Sequence, residues 1–360
     1  MQKLPNLYFL RFFLAITVVI YHIPDTSKNI GLAFFNDLAI FHKGGVAVYY
    51  FFSLSGFLII RNLYLENNRG WVNLRKFFVR RMLRLWPLYY VVIIFGLFTY
   101  QVLIPILGVN YETDYSVKEL LLYYIFFLPN VFNALYKVGG ILNITWSIGI
   151  EEQFYIIFPF IFLMFRKNIK MSLFTLLLLL LSILFINESF YKHQNYYFYF
   201  IAGGLFAILA EQGRLVFLKS RFISALILFL VTFFTNLFVF KDGRYSHIAY
   251  LLIANLLIVS LAYYPIFLFD KLKLNYLGEI SYGIYMLHMI VTTFWLYGIK
   301  VIDLDTYLDD TFLIALNNVV ILAVTIYLSH LSYKYFESLF TQQNYLKLKA
   351  SFKKKYLKVE

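Results

Sequence analysis

Long apolar runs, repeated along the 360 residues, restrict the fold of this chain more than any other feature. Residues 174–186, FTLLLLLLSILFI, contain no charge, and about 20 apolar residues suffice to cross a bilayer as a helix. The composition agrees, because 61% of the residues are hydrophobic and 14% are charged, against roughly half and about a quarter in soluble domains. Strand-like alternation is not evident. The sequence therefore predicts an all-α, polytopic transmembrane helical bundle.

The apolar runs define about ten spanning helices. They are predicted at 7–23, 45–60, 86–107, 145–165, 171–187, 195–210, 222–240, 248–267, 278–299 and 312–333. Basic residues concentrate at 61–84, at 166–170 and from 334 onward, whereas the loop 300–311 holds four aspartates. Because Lys and Arg favour cytoplasmic loops, this pattern predicts an integral membrane protein with both termini in the cytoplasm.

Residues 120–133, LLLYYIFFLPNVFN, are apolar but short, and they include Pro129. A spanning helix there would place the later basic loops on the wrong side of the membrane. We therefore expect a re-entrant or interfacial segment on the outer side. The chain as a whole divides into a transmembrane domain over 1–340 and a basic cytoplasmic tail over 341–360. We expect this tail to lie on anionic membrane lipids.

The net charge of +13 does not indicate a nucleic-acid partner, because the basic residues lie in loops between spans where membrane topology explains them. The chain has no cysteine. This excludes a thiol nucleophile and a thiolate metal site, and we expect no metal cofactor.

Ionisable residues inside the predicted spans indicate function. Arg11 and His22 lie in the first span, eleven positions apart, which puts them on one helix face about 16 Å apart. Such residues are expensive in a bilayer and mark functional cavities by default. The alternative is structural: Arg11 extends to the inner interface and His22 marks the outer end of the helix.

Glu151 and Glu152 are adjacent carboxylates in the outer half of the span 145–165. Their depth matches that of His22, which allows a His–Glu pair inside the bundle. A structural ion pair with Arg11 or Arg61 is the alternative, since a buried carboxylate needs a partner or a cavity.

A third cluster, Arg80, Arg81 and Arg84, enters the span 86–107. Spacings of three and four residues present all three guanidinium groups together on a helix, and guanidinium groups suit phosphate. Lipid headgroups and topology are the ordinary explanation for arginines at this position. Alone, that explanation would be favoured.

In combination these segments resemble the membrane-bound acyltransferase 3 family. The matching motifs, in chain order, are Arg11 with His22, VAVYYFFSLSGF, RRMLRLWP, WSIGIEEQFY, SYGIYMLH, and Tyr333, Tyr335 and Glu337. The chain departs from the family at Gly149, where serine is frequent, and after Glu337, where Ser-Leu-Phe replaces the usual Pro-Phe-Arg. We expect the stand-alone form of the family, without the C-terminal esterase-like domain of some members.

The resemblance implies transfer of an acyl group, usually acetyl, from acyl-CoA to a hydroxyl of a carbohydrate or glycolipid acceptor. The expected setting is the bacterial inner membrane, with an envelope or exported glycan as the acceptor. His22 is the expected general base, Glu151 would orient its imidazole, and Arg11 would bind polar groups of the donor or the oxyanion.

The same resemblance gives the arginine cluster Arg80, Arg81 and Arg84 the role of holding CoA phosphates. Five further residues are expected along the acceptor route: Ser147, Glu152, Tyr282, Tyr285 and His288. For His288, a structural hydrogen-bonding role is an equal alternative.

Two other functions remain open from the residues alone. Intramembrane charges also serve a transporter or flippase of an envelope precursor. The chain could equally be an acyl-translocating partner of a separate envelope transferase. An arginine cluster aligned with a His/Glu pair favours acyl-CoA chemistry over transport.

Overall fold

The computed structural model describes residue 4 and residues 6–107, 113–186, 196–263 and 274–340. The principal helices of the described chain are α1 (Asn6–Asn29), α2 (Gly44–Asn68), α3 (Leu74–Phe98), α4 (Val117–Ile125), α5 (Pro129–Leu135), α6 (Thr145–Phe165), α7 (Ile169–Ile186), α8 (Tyr197–Glu211), α9 (Phe222–Phe234), α10 (Gly243–Tyr263), α11 (Ser281–Val301) and α12 (Asp310–Leu331). Within these described ranges there is no β-strand.

The predicted bundle of spanning helices is confirmed. Eight helices are long and apolar enough to cross a membrane, and the shorter apolar helices α8 and α9 occupy the other two predicted spans. The predicted span 222–240 is too long, because α9 ends at Phe234. Residues 187, 195 and 264–267 of the predicted spans, and the predicted tail 341–360, lie outside the described residues.

Polar residues at the helix ends satisfy backbone N–H groups that have no partner within the helix. The Asn73 side chain accepts from the Lys76 N–H at the start of α3, and Asp309 accepts from two N–H groups at the start of α12. At α4, Ser116 and Glu119 form a reciprocal capping box, an arrangement that fixes the first turn of a helix.

The segment predicted to be re-entrant or interfacial forms α4 and α5, of 9 and 7 residues. Neither is long enough to span a bilayer. The turn between them places Phe127 at φ 56°, and Gln153 of α6 donates to the Phe127 carbonyl at 2.7 Å and to Asn130 Oδ1 at 2.8 Å. The segment is thus fastened to α6, the helix that also contains Glu151.

Helices α2 and α8 approach so closely that their backbones touch at glycines. A Cβ atom on Gly56 would lie 2.1 Å from the Phe200 carbonyl oxygen, and one on Gly203 would lie 2.1 Å from the Ser53 carbonyl oxygen. Small residues allow such contact between membrane helices. About 72% of the spanning window of α2 is buried, against 22% for α7 and α12, so α2 lies inside the bundle and α7 and α12 at its periphery.

Successive spanning helices run in opposite directions, so α1, α3 and α11 begin where α2, α8, α10 and α12 end. Contacts at this end confirm the arrangement: Arg61 of α2 bonds to Glu211 of α8 and to Tyr263 of α10. Arg80 and Arg84 of α3 lie at the same end, which we call the arginine end.

Replacing Gly203 with alanine is expected to destabilise the protein by about 1–3 kcal/mol, since the new methyl group meets backbone and cannot be relieved by a side-chain rotation. Thermal unfolding of the purified protein in detergent measures this. Gly298→Ala in α11 is the matched control, because a Cβ there would have no described atom within 4 Å beyond its own helix backbone and its two chain neighbours. Equal losses of stability in the two variants would contradict the close-contact interpretation.

Candidate active site

Five helices enclose a polar cavity of about 80 Å³ inside the bundle, which we call the central cavity. Its polar lining residues come from α1, α2, α3, α6 and α11: Arg11, Ser55, Arg81, Arg84, Ser147, Glu151, Tyr155, Ser281, Tyr282 and Tyr285. Seven of these were predicted as site residues from the sequence: Arg11, Arg81, Arg84, Ser147, Glu151, Tyr282 and Tyr285. Residues far apart in the chain therefore meet at one site.

Glu151 is held on one side of the central cavity by two hydroxyl groups. Ser55 of α2 and Tyr155 of α6 both donate to Glu151 Oε1. Tyr155 lies on the same face of α6 as Glu151 because they are four residues apart. Neither donor was predicted as a site residue, although Ser55 lies within the VAVYYFFSLSGF motif and Tyr155 closes the WSIGIEEQFY motif.

Three guanidinium groups face this single carboxylate. Arg11, Arg81 and Arg84 all line the central cavity, and none of the three hydrogen-bonds to another residue in the described part of the chain. Arg81 lies 5.0 Å from the Tyr155 ring centroid, within cation–π range. The cavity thus has a surplus of positive charge and unused N–H donors, which suits an anionic ligand or a developing oxyanion.

Tyr285 forms the wall of the central cavity on the side away from the arginine end. Its hydroxyl group lies 2.7 Å from Ser147 Oγ and donates to the Ile144 carbonyl at 3.1 Å. Tyr282, one turn earlier, donates to the Leu85 carbonyl at 2.7 Å. Both tyrosines are therefore fixed by hydrogen bonds to neighbouring helices.

His22 and His288 lie beyond Tyr285 as a pair of rings with centroids 5.2 Å apart. His288 Nδ1 is 2.6 Å from the Tyr285 carbonyl oxygen. A carbonyl only accepts, so Nδ1 has the proton, and Nε2 of the neutral ring has a free lone pair. This Nε2 is buried and has no hydrogen-bond partner among the described residues.

The expected hydrogen bond between His22 and Glu151 is not formed. Glu151 is engaged by Ser55 and Tyr155, whereas His22 contacts Tyr21 and His288. Glu151 lines the central cavity together with Arg11, whereas His22 lies about three turns further along α1. His288, expected on the acceptor route, is instead the neighbour of His22.

Glu152 points away from the central cavity, although it was expected on the acceptor route. Its Oε2 accepts from the Trp86 indole N–H at 3.0 Å, and its Oε1 is buried without a hydrogen-bond partner among the described residues. Adjacent residues on a helix face directions about 100° apart, so only one of two neighbouring carboxylates can reach the cavity.

A larger cavity of about 690 Å³, the vestibule, lies at the arginine end. Arg84 lines both the vestibule and the central cavity, whereas Arg80 lines the vestibule and not the central cavity. Tyr333 and Glu337 of the closing motif also line the vestibule, and Tyr333 donates to Glu279 at 3.1 Å. The three predicted arginines therefore do not share one cavity: Arg80 lines the vestibule, Arg81 lines the central cavity, and Arg84 lines both.

The vestibule also has lining residues that sequence analysis did not assign: Tyr8, Tyr276, Glu279, His330 and Lys334. The sequence shows no motif that links them, since they come from three separate segments. Among the described residues, no three His, Cys, Asp or Glu side chains are grouped closely enough to hold a metal ion.

Comparison with known proteins assigns the chain to a family. A family model described as an acyltransferase domain matches residues 4–334. The peptidoglycan O-acetyltransferase OatA of Listeria monocytogenes is 26% identical over 290 residues, which cover 70% of this chain and 45% of the relative. The O-acetyltransferase OatA of Staphylococcus aureus is 26% identical over 332 residues, which cover 81% of this chain and 51% of the relative.

A third relative, an uncharacterized protein of Haemophilus influenzae, is 27% identical over 212 residues, which cover 52% of this chain and 86% of the relative. The chain spans about half the length of the two O-acetyltransferases. No solved structure gave a significant match.

Glu152→Gln is expected to retain more stability than Glu152→Ala. The amide oxygen still accepts from Trp86 without a buried charge, whereas alanine leaves the indole N–H unpaired at a cost of about 1–3 kcal/mol. Thermal unfolding in detergent compares the two variants, with Trp86→Phe as the variant that removes the donor. A glutamine variant no more stable than the alanine variant would contradict this assignment.

Proposed function

Because the chain belongs to the acyltransferase family whose model matches residues 4–334, we propose that it is a membrane O-acetyltransferase that modifies a cell-wall carbohydrate with an acetyl group taken from acetyl-CoA. The family predicted from the motifs is confirmed, and the protein is an integral membrane acyltransferase. The two related O-acetyltransferases support acetyl as the acyl group, and the peptidoglycan enzyme of Listeria monocytogenes supports a peptidoglycan-like glycan as the acceptor.

The observation that supports this proposal most directly is the continuity of polar residues through the bundle. The vestibule and the central cavity share Arg84 as a lining residue, Tyr285 forms the opposite wall of the central cavity, and His288 bonds to the Tyr285 carbonyl. In the proposal, the donor enters from the vestibule and the acceptor approaches from the side of His22 and His288.

The size and charge of the cavities favour entry of the donor at the arginine end. The vestibule, at about 690 Å³, has room for a large ligand, whereas the central cavity, at about 80 Å³, has room only for a small group. In the proposal, Arg80 and Arg84 hold CoA phosphates in the vestibule, and Arg81 and Arg84 guide the thioester inward. The vestibule then faces the cytoplasm of a bacterial plasma membrane, where acyl-CoA is available.

In the proposed reaction, the acceptor hydroxyl oxygen attacks the thioester carbonyl carbon and the carbon–sulfur bond breaks. Arg11, whose guanidinium group lines the central cavity, stabilises the oxyanion, since donors placed at a developing charge are the largest usual contribution to such a step. His22 takes the hydroxyl proton and returns it to the leaving CoA sulfur. His288, with its free Nε2 beside His22, can accept an N–H from the His22 ring and fix its orientation.

Glu151 keeps a supporting role that differs from the one expected from the sequence. Its carboxylate balances part of the charge of Arg11, Arg81 and Arg84, and it orients Tyr155 beneath Arg81. The separation between Arg11 and His22, about 16 Å along α1, leaves two routes for the acyl group. Either the CoA arm threads the central cavity, or an acyl-enzyme relays the group toward His22.

His22→Ala is expected to lower acetyl transfer by about 10²–10⁴-fold, the usual contribution of a general base. The measurement uses purified protein in nanodiscs, labelled acetyl-CoA and a peptidoglycan fragment. His42→Ala is the matched control, since the hydrogen bond of His42 among the described residues is to the Asn36 carbonyl in the loop after α1. Full activity in His22→Ala would show that His22 is not the base. Uptake of glycan without labelling, by wild type reconstituted in closed liposomes, would favour transport.

Arg84→Gln is expected to raise KM for acetyl-CoA by about tenfold or more, because a charge-assisted contact with phosphate or carbonyl is lost. Arg75→Gln tests whether this reflects general loss of positive charge, as Arg75 is an exposed residue of the same helix. Initial rates against donor concentration provide both KM values. An unchanged KM for acetyl-CoA in Arg84→Gln would show that Arg84 does not bind the donor.

A further inference from the structure

A second cationic cavity, of about 390 Å³, lies at the arginine end beside the vestibule, and we call it the side cavity. Its lining residues come from α2, α3, α8 and the turn after α2: Arg61, Asn62, Leu65, Glu66, Arg69, Lys76, Arg80 and Glu211. It shares no residue with the central cavity, and none of the roles proposed above uses Arg61, Arg69 or Lys76.

Arg61 is the buried component of the side cavity, with 6% of its surface exposed. Its Nε group donates to Glu211 at 2.6 Å and to the Tyr263 hydroxyl at 3.0 Å. Its two Nη groups hydrogen-bond to nothing else in the described chain. A buried guanidinium that uses only one of its three nitrogen atoms has donors left for an anion in the cavity.

The remaining charges leave the side cavity positive. Glu211 is paired with Arg61, and Glu66 Oε2 accepts from the Asn73 backbone N–H at 3.4 Å. The side chains of Arg69 and Lys76 form no hydrogen bond or ion pair with other described residues. The exposed side chains of Arg69 and Lys76 therefore line the same cavity as the buried Arg61, whose Nη groups have unused donors.

We propose that the side cavity binds a phosphate group through Arg61, Arg69 and Lys76. The planar guanidinium fork matches phosphate oxygens in a bidentate way, and the cavity volume of about 390 Å³ is many times the roughly 30 Å³ of a water molecule. The proposal that this site binds phosphate holds whether or not acetyl-CoA is the acyl donor.

Phosphate can reach the side cavity from two sources. One is a nucleotide in the vestibule, since Arg80 lines both the vestibule and the side cavity; the phosphate on the ribose of CoA is such a group, and this source rests on the proposed function. The other is the headgroup of an anionic phospholipid at the membrane surface. Both sources present the same phosphate chemistry to the three cations.

The test uses the full-length protein purified in a phospholipid-free sugar detergent. The two probes are adenosine 3′,5′-bisphosphate, for a nucleotide phosphate, and phosphatidylglycerol in mixed micelles, for a lipid phosphate. Equilibrium binding of each probe is measured, together with the rise in melting temperature that a ligand of the folded state causes. The principal variant is Arg69→Gln/Lys76→Gln, whose side chains make no described contact that folding would need.

The matched control is Arg75→Gln/Lys167→Gln, which removes the same charge from two exposed positions that line none of the cavities above. The principal variant is expected to bind at least one probe about tenfold or more weakly, the effect of losing one charge-assisted hydrogen bond. The control is expected to stay within about twofold. If only nucleotide binding is weakened, the phosphate comes from a nucleotide. If only phosphatidylglycerol binding is weakened, it comes from a lipid headgroup.

Arg61→Lys provides an independent check, because lysine keeps a positive charge beside Glu211 but lacks the guanidinium fork. It is expected to fold and to weaken the same probe. The proposal is overturned if wild type binds neither probe, if the principal variant binds both as wild type does, or if the control is weakened equally. Phosphate binding without acetyl transfer would count against the proposed function alone.

Discussion

A charged side chain among apolar helices has to be neutralised, hydrogen-bonded or placed beside a cavity, because the bilayer interior supplies no partner. The polar interior of this protein follows from that constraint. Arg61 is neutralised by an ion pair, since its Nε group donates to Glu211 and to Tyr263. Arg11, Arg81 and Arg84 instead lie beside a cavity, where one carboxylate is surrounded by three guanidinium groups.

The two arrangements differ in the net charge that they leave. A paired buried arginine such as Arg61 mainly joins α2 to α8 and α10, although its Nη groups remain unused. Three arginines around Glu151 leave a net positive charge that an incoming anion can neutralise. Because the same cavity is bounded by Tyr285 and Ser147, which are fixed by hydrogen bonds to each other, the charge is presented within a rigid wall. Such pre-organisation is what stabilisation of an oxyanion needs.

Close packing of α2 and α8 determines where these side chains lie. Gly56 of α2 contacts α8, and Ser55, one residue earlier, donates to Glu151 on α6. Rotating α2 to accommodate a side chain at Gly56 would move Ser55 as well. The glycines, which serve packing, and the serine, which serves the cavity, are therefore coupled within one SLSGF segment.

Much of the fold could be predicted from the sequence, since apolar length and the period of a helix are local properties. The ten apolar segments, the non-spanning character of the segment around Pro129 and the family all followed from residues read in order. Seven site residues were predicted to be functional and do line one cavity. A charged residue within a membrane span is easily recognised in the sequence, because few of its neighbours there are polar.

How these residues pair was decided only by the tertiary structure. Glu151 and His22 were expected to pair, yet Glu151 bonds to Ser55 and Tyr155 while His22 contacts His288. Arg80 and Arg84 share a helix face, yet only Arg84 reaches the central cavity. The sequence by itself determined which residues each helix contains and on which face they lie. The rotation and approach of one helix against another depend on packing between segments distant in the chain, and these decided which side chains meet.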